Sequence, residues 1–489
     1  MIHYWMGSDD VSDAIYIPKY YDPTIKHKLD SLTETHDLLQ ICDLAKKKII
    51  ELATGDEIGK SAYGTGDIPF VRTSDITNWE IKSSPKQGVS REIYEQYALR
   101  QNVLEGDILL VRDGTYLIGR NCFITPVDKE ILYQSHIVKF RVLKTQQLIP
   151  ELFFLVLNSP IVQKQIRSIQ FTADIIDTLG QRLRDIILPI PKSTDMQADL
   201  LKQTASALQT RVKGKAFVKH APYLIEEVLA ANSVEPISSF LGQSLNDITR
   251  LVSNRTVTAE FGQFESVWLS SDDIVSKVLL PKYYDPTISA ELKRLAETCE
   301  IKSMAKLRRE HLISYHTGIE IGKMAYGTGD IPFIRTSDFA NWELLHETKQ
   351  GVSEEIYDQY HAQCNLQEDD LLLVRDGTYL VGSSCIVTAG DARSLFCGGL
   401  VKIRVKSNSE LDPYLFLGLL NSFIVKRQIR TKQFTRDVID TLGNRLDEVY
   451  IPIPKDRQIR RAISDAVRDV IHSRIKSRDS IVRLASAIN

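Results

Sequence analysis

Residues Ala62–Phe70 read AYGTGDIPF, and residues Ala325–Phe333 read AYGTGDIPF again, 263 positions later. The same offset links PKYYDPTI at Pro18–Ile25 and Pro281–Ile288, VRDGTYL at Val111–Leu117 and Val374–Leu380, and DTLG at Asp177–Gly180 and Asp440–Gly443. It also pairs Trp5 with Trp268, and Pro189-Ile-Pro191 with Pro452-Ile-Pro454. The register holds without a net insertion or deletion. A period this long is not that of a solenoid, whose repeats run roughly 20–50 residues. It marks a duplicated module of domain size, residues 1–226 and 264–489, joined by a connector at 227–263.

Each copy has two parts. The first, 1–191 and 264–454, reads as mixed α/β. Ile108–Arg112 and Leu371–Arg375 are short apolar runs followed by Asp-Gly, a strand and then a turn. Ile137–Val142 and Leu400–Val405 nearly alternate apolar and basic residues, as half-buried strands do. Pro150–Arg167 and Pro413–Arg430 have helical apolar spacing broken by Asn-Ser, which predicts two short helices in each. The second part follows Leu188-Pro-Ile-Pro191, an extended strap that its prolines bar from helix. Long helices are then expected at 192–226 and 455–489. Ile459, Ile463, Ala466 and Val470 step by 4, 3 and 4, and Ile475, Ile481, Leu484 and Ile488 continue the stripe. Met196, Leu200, Ala207, Leu208 and Val212 do likewise in the first copy. A long helix with one apolar side needs a partner, and the obvious one is its counterpart in the other copy.

The 489 residues predict two to four domains. A composition of 43% hydrophobic and 25% charged residues is ordinary for a globular chain. The six cysteines form no C-x-x-C pair, which speaks against a disulfide scaffold or zinc ribbon and fits a reduced, cytoplasmic setting. Met1–Tyr20 lacks the apolar core of a signal peptide, and no apolar run reaches the ~18 residues of a membrane span. The net charge of −2 argues superficially against nucleic acid. Split by copy, however, the acidic and basic residues balance in each half and the connector supplies the deficit. Locally, Lys139, Arg141, Lys144, Lys164 and Arg167 form a basic run, matched by Lys402, Arg404, Lys406, Lys426, Arg427, Arg430, Lys432 and Arg436. Phosphate binding requires such a local stripe and no global surplus. The alternative is a solvated helix face.

The arrangement resembles the DNA-specificity (S) subunit of type I restriction-modification systems. Tyr63–Asp75 (YGTGDIPFVRTSD) is similar to the family's G-x-I-P-[FW]-[IV]-R-x-x-D segment. Glu105–Thr115 (EGDILLVRDGT) is similar to its G-D-[IV]-L-x-x-x-x-G-T segment, and Ile186–Pro191 to the proline strap that ends a target-recognition domain. The motifs recur in order over nearly the whole chain. The resemblance implies two target-recognition domains, with helices that pair antiparallel as a spacer of pseudo-two-fold symmetry. It implies as partners double-stranded DNA, two modification (methyltransferase) subunits and, in some complexes, a restriction or translocase subunit. S-adenosylmethionine would sit in the modification subunit, with no cofactor and no metal in this chain. Two features depart from the family. Gly106-Asp107 becomes Asp369-Asp370 in the second copy, so that turn is expected to change shape. The two halves are also closer to each other than family members usually are.

No catalytic motif is found: there is no N/D-P-P-Y/F, no G-x-G-x-x-G opening a βαβ unit, and no Walker lysine. A DNA reader that has been duplicated should keep what touches the backbone and vary what reads bases. Shared polar residues in turns are therefore expected to contact the backbone: Lys60, Tyr63, Thr65, Arg72, Thr73, Ser74, Arg112, Thr115 and Tyr116, with Lys323, Tyr326, Thr328, Arg335, Thr336, Ser337, Arg375, Thr378 and Tyr379. The alternative is fold maintenance, with Arg72 pairing Asp75 and Arg112 pairing Asp113. The window 120–136 (RNCFITPVDKEILYQSH) diverges from 383–399 (SSCIVTAGDARSLFCGG). From it Arg120, Asn121, Tyr133, Gln134, Ser135 and His136, with Ser383 and Ser384, are expected to read bases. Neutral drift in exposed loops is the alternative, and 46–54 against 309–317 is a second divergent window.

Two similar readers related by a two-fold axis imply two similar half-sites, an interrupted and nearly palindromic target. The leading expectation is a non-catalytic recognition subunit that directs adenine methylation by its partners. A recognition subunit of another phage-defence methyltransferase complex, lacking a nuclease, shares the same fold. A self-contained enzyme and a purely structural scaffold are the readings from other classes.

Overall fold

The structure is a computed structural model that describes residues 5, 7, 11, 15–128, 130–173, 176–254, 268–271, 274, 278–377, 379–406, 410–436 and 439–488. It is mixed α/β. The chain divides into two compact units. The first comprises Met1–Ile81, Pro85–Gln209 and Ser477–Asn489; the second comprises Lys82–Ser84 and Thr210–Lys476. Among the described residues no helix is long and apolar enough to cross a membrane.

In the first unit a four-stranded antiparallel sheet runs in the order Ile50–Thr54, Ile137–Val142, Ile108–Val111, Asn121–Phe123. A three-stranded sheet places Ile68–Val71 between Gln87–Val89, antiparallel, and Leu132–Tyr133, parallel. The strap Ile187–Pro191 pairs antiparallel with His36–Gln40. Its prolines are tolerated because a two-stranded ribbon leaves alternate backbone nitrogens off the ladder. Pro150–Leu157 and Pro160–Ser168 are the two helices that the Asn-Ser break predicted, and six consecutive residues of the first, Leu152–Leu157, are buried. The second unit repeats these elements at the same offset. Its four-stranded sheet is Ile313–Thr317, Leu400–Val405, Leu371–Val374, Ser384–Ile386, and Tyr450–Pro454 pairs with Cys299–Ser303.

Local signals explain several boundaries. Ser90 caps Arg91–Gln101 by accepting from the Ile93 amide, and the helix ends at Asn102 in the left-handed region (φ 40°). Ser353 and Asn365 do the same for Glu354–Cys364. The turn at Asp369-Asp370 is not reshaped, contrary to the sequence expectation. Asp369 takes φ +68°, in the same half of the map as Gly106 at +87°, so an aspartate accepts a conformation that glycine occupies freely.

Glycine is required where a strand passes close over a loop, Gly88 over Gly66 and Gly351 over Gly329. A Cβ on Gly88 would lie 2.1 Å from the Gly66 carbonyl oxygen, and one on Gly351 would lie equally close to that of Gly329. Gly88→Ala and Gly351→Ala are each expected to cost about 1–3 kcal/mol, the usual range for forced overpacking. Urea denaturation measures this, and an unchanged midpoint would show that the loops can part freely.

The long helices span Thr194–Ala231 and Arg457–Ser486. The first extends past the expected end at 226, and the connector contributes Glu235–Gly242 and Leu245–Asn254; residues 255–263 lie outside the described residues. In the first unit Leu200, Ala207 and Leu208 share one core with Ile481, Leu484, Ala485 and Ile488, and Arg483 donates to Gln203. In the second unit Arg211 donates to the Arg474 carbonyl at 3.3 Å, while Gly418 lies against both Ile225 and Ile463. Rising numbers on one helix meet falling numbers on the other, so the pair is antiparallel. Arg211 and Arg474, which meet within the second unit, are equivalent positions of the two copies. The expected stripe is corrected at one place: Arg474 is fully buried, and its neighbour Ile475 is not.

Candidate nucleic-acid interface

Part of the divergent window, Gln134–His136, and two of the shared turns, at Arg72–Ser74 and Arg112–Gly114, are brought together at one end of the three-stranded sheet, whereas Lys60, Tyr63 and Thr65 precede the opposite end of Ile68–Val71 and Asn121 lies in the four-stranded sheet. The Gln134 amide donates to the Val71 carbonyl at 3.0 Å, so Arg72–Ser74 and Gln134–His136 leave adjacent parallel strands side by side. The Arg112 amide donates to the His136 carbonyl at 3.0 Å, and the Gly114 amide to the Asp177 carbonyl at 2.8 Å. In the second unit the Thr336 methyl approaches the position a Cβ would take on Gly399, the equivalent of His136.

Asp113 organises the first-unit cluster. It is 7% exposed and accepts from Arg112 Nε at 3.1 Å, His136 Nδ1 at 3.1 Å and Thr178 Oγ1 at 2.5 Å. Glu57 accepts from Gln134 Nε2 at 3.5 Å and from Ser135 Oγ, and lies 3.9 Å from His136 Nε2. In the second unit Asp376 holds Arg375 through both carboxylate oxygens and also takes the Thr441 hydroxyl. Gly398 and Gly399 bring no side chain there, and a Cβ on Gly398 would sit 2.4 Å from Glu320 Oε1. A shared aspartate thus fixes a shared arginine, beside a window that carries amide, hydroxyl and imidazole groups in one unit and backbone in the other. That is the form expected of a conserved anchor next to a variable reader.

Lys60 and Lys323 lie exposed on short turns, as do Ser74, Ser337 and Thr115; Thr73 and Thr336 are half-buried. Tyr116 and Tyr379 are about half exposed, at 52% and 53%, on the loop before the strands Asn121–Phe123 and Ser384–Ile386. Thr378 lies outside the described residues. Thr65 and Thr328 each brace a turn, their hydroxyls donating to Ala62 and Ala325 and accepting from the Ser90 and Ser353 amides. Tyr63 packs on Phe70, and Arg335 lies over the Tyr326 ring. Arg72 does not engage Asp75 through its guanidinium; the carboxylate takes its backbone amide, and the buried Nε has no hydrogen-bond partner among the described residues.

Three expected base readers are corrected by burial. Asn121 is 2% exposed and bridges Gly119 and Asn158, Ser384 is 4% exposed and accepts from Asn421, and Tyr133 is fully buried. Burial raises the Tyr133 phenol pKa well above its usual value. Their side chains serve the interior. Arg120, Ser135, His136 and Ser383 remain partly exposed, whereas Gln134 is buried at 8% with its amide directed to Glu57.

The basic run is also corrected. Lys139 donates to the Gln101 and Asn102 carbonyls at 2.5 and 2.9 Å, and Arg141 binds Asp107 with two bonds of 2.7 Å. Lys402 and Arg404 repeat this with Cys364, Asn365 and Asp370. These cations satisfy the open carbonyls of a helix C-terminus, where positive charge is favoured. Burial depresses the pKa of Lys139 and Lys402, while the carboxylate contact raises that of Arg141 and Arg404. Lys164 and Arg427 engage Asp22 and Asp285, and Lys432 engages Glu448.

Sequence reading missed Glu57, Asp376 and Thr178, and named Asp113 only as a partner of Arg112, because a carboxylate's other partners come from distant segments. It also missed Trp79 and Trp342. Each occupies a left-handed turn position after asparagine (φ 63° and 67°), and Trp79 Nε1 donates to Asn158 at 2.9 Å. The repeated Asn-Trp pair was the only available signal.

The sequence matches no family model and no curated protein. Solved structures are similar along most of its length. The S subunit of a type I restriction-modification system from M. genitalium is 12% identical over 92% of this chain and 93% of that one, with a TM-score of 0.29. A structure of the type I R-M system, concerned with complex assembly and conformational transition, gives 14%, 93%, 96% and 0.27. The HsdS subunit from Thermoanaerobacter tengcongensis gives 15%, 94%, 94% and 0.25. What this chain is similar to, over more than nine-tenths of its length, are solved structures of type I restriction-modification systems, two of them S subunits.

Proposed function

We propose that the chain is the DNA sequence-recognition subunit of a type I restriction-modification methyltransferase complex. The observation that carries this reading is the duplicated module. One α/β unit and its long helix occur twice, and the two helices meet at equivalent residues, Arg211 and Arg474. Within each module an aspartate-held arginine lies beside a segment that differs between the copies. The chain would read DNA and perform no chemistry itself. Two modification subunits would supply S-adenosylmethionine and methylate adenine, flipping the base into their own pocket. A restriction or translocase subunit would complete the complex in the cytoplasm. Arg112 and Arg375 with their neighbouring turns would hold the backbone, and Gln134–His136 would distinguish the half-sites.

The test is co-purification with the products of neighbouring genes, followed by methylome sequencing of cells expressing the set. The expected result is adenine methylation at an interrupted, nearly palindromic site, with a substitution in Gln134–His136 altering one half-site only. Two unrelated half-sites would sink the symmetric-reader idea. Methyl transfer by the purified chain alone would sink the non-catalytic one.

A further inference from the structure

A cavity of about 520 Å³ lies within the second unit, walled by the helix segment Val218–Tyr223, the Asn341-Trp342 turn, the loop Tyr379–Ser384, the start of Phe423–Lys432, and Lys82–Ser84. Its charged lining is of one sign. Lys82, Lys219, Lys426 and Arg430 face it, His220 joins them, and no carboxylate occurs among the described lining residues. Elsewhere on this helix the cations are matched: Arg427 pairs with Asp285 and Glu291, and Lys432 with Glu448. Among the described residues Lys426 Nζ donates only to the Gly382 carbonyl, at 3.0 Å. Burial and the neighbouring Arg430 push its pKa down to about 8. Polar donors complete the lining, with the Ser383 hydroxyl and the Asn341 amide, and Tyr223 stacked on Phe423 at 5.4 Å forms an aromatic wall.

A cavity of this size falls in the range of small-ligand sites. Clustered cations without carboxylates suit an oxyanion with several acceptor oxygens, a phosphate monoester or diester alike, because charge-assisted bonds are the strong ones. We propose that this cavity binds a phosphoryl group, held between Lys426 and Arg430. The group could be carried by a free nucleotide or by the backbone of a bound nucleic acid, and the test separates these sources.

The first copy supplies the control. The equivalent of Lys426 is Gln163, whose Nε2 donates to the Gly119 carbonyl at 3.4 Å and to Leu157 at 2.8 Å. Lys426→Gln therefore installs a side chain that the same fold already accepts at this position. Inorganic phosphate and AMP are titrated calorimetrically into the full chain at low ionic strength. The wild type is expected to bind, and Lys426→Gln and Arg430→Gln to weaken binding at least tenfold, while Arg167→Gln, the equivalent of the latter in the first copy, leaves it unchanged. Binding is also expected to fall as pH rises through about 8, where Lys426 loses its proton. The groups facing it, Arg430, Lys219, Lys82 and His220, do not gain charge in that interval, and AMP, a phosphate monoester, is already dianionic, its second pKa being near 6, so the pH dependence is read with AMP. No heat with either probe, or equal affinity in Lys426→Gln, would overturn the proposal. A DNA duplex added with AMP identifies the source: competition indicates backbone phosphate, and independence a free nucleotide. Failure of the duplex to bind at all counts against the recognition function and leaves the phosphoryl site standing.

Discussion

Glu343→Ala is expected to destabilise the second unit by about 3–5 kcal/mol, the range found when one partner of a buried ion pair is removed. Glu343 is 2% exposed, Arg474 is fully buried and Arg211 is 3% exposed. One carboxylate oxygen accepts from Arg474 Nη2 at 2.8 Å and from Arg211 Nη2 at 2.5 Å. The two guanidiniums come from equivalent positions on antiparallel helices, so the carboxylate offsets the repulsion that their close approach creates. It reaches them from the hairpin Phe339–Ala340/Glu343–Leu344 and thereby ties the globular part to the helix pair. Gly214 makes room, since a Cβ there would lie 2.7 Å from Arg474 Cγ. Without Glu343 both arginines stay interior and lose this counter-charge. The check is a urea titration, with a lower midpoint at unchanged slope. A triple replacement of Glu343, Arg211 and Arg474 by apolar residues of similar volume should recover most of the loss, because two-way desolvation makes buried ion pairs poor net stabilisers. A Glu343→Ala protein of wild-type stability would show that the arginines can escape to water.

The same triad shows where reading the sequence stops. The repeat, the strands, the Asn-Ser break and the proline strap were all legible, because each rests on local spacing or backbone chemistry. The apolar stripe of the last helix steps by five from Val470 to Ile475, and the physical reason is that a charged residue, Arg474, occupies the interior there. Its carboxylate lies 131 positions away in sequence, and nothing local announces it. The candidate interface divides in the same way. Arg112 beside Asp113 could be foreseen, since neighbours in sequence are neighbours in space. The contacts of Asp113 with His136 and Thr178, and the burial of Asn121, Tyr133 and Ser384, follow from how the sheets stack. A divergent window marks where the copies differ. It does not separate a residue that faces solvent from one that repacks the interior.

Asp107→Ala is the second large expected effect, again about 3–5 kcal/mol, and it decides what the basic run is for. Asp107 is 1% exposed; it takes both Arg141 bonds and the Leu104 amide at 2.8 Å, and lies 3.9 Å from Lys139 Nζ. Asp370 does the same for Arg404 and the Gln367 amide, so Asp370→Ala should behave alike in the second unit. With the carboxylate gone, a guanidinium and a largely buried ammonium remain over the carbonyls of Gln101 and Asn102. The helix end gains excess positive charge, and the turn before Ile108 loses its cap. If Arg141 served phosphate binding, removing it would lower the salt slope of DNA affinity by about one while leaving the fold intact. The geometry predicts the reverse for Arg141→Met: a lower unfolding midpoint, and a slope of log affinity against log salt unchanged within error. Arg112→Gln should lower that slope by about one, since its guanidinium is 32% exposed and only its Nε is engaged by Asp113. Measuring stability and salt dependence on the same three proteins separates the two roles, and a reduced slope in Arg141→Met at wild-type stability would return the basic run to the DNA interface.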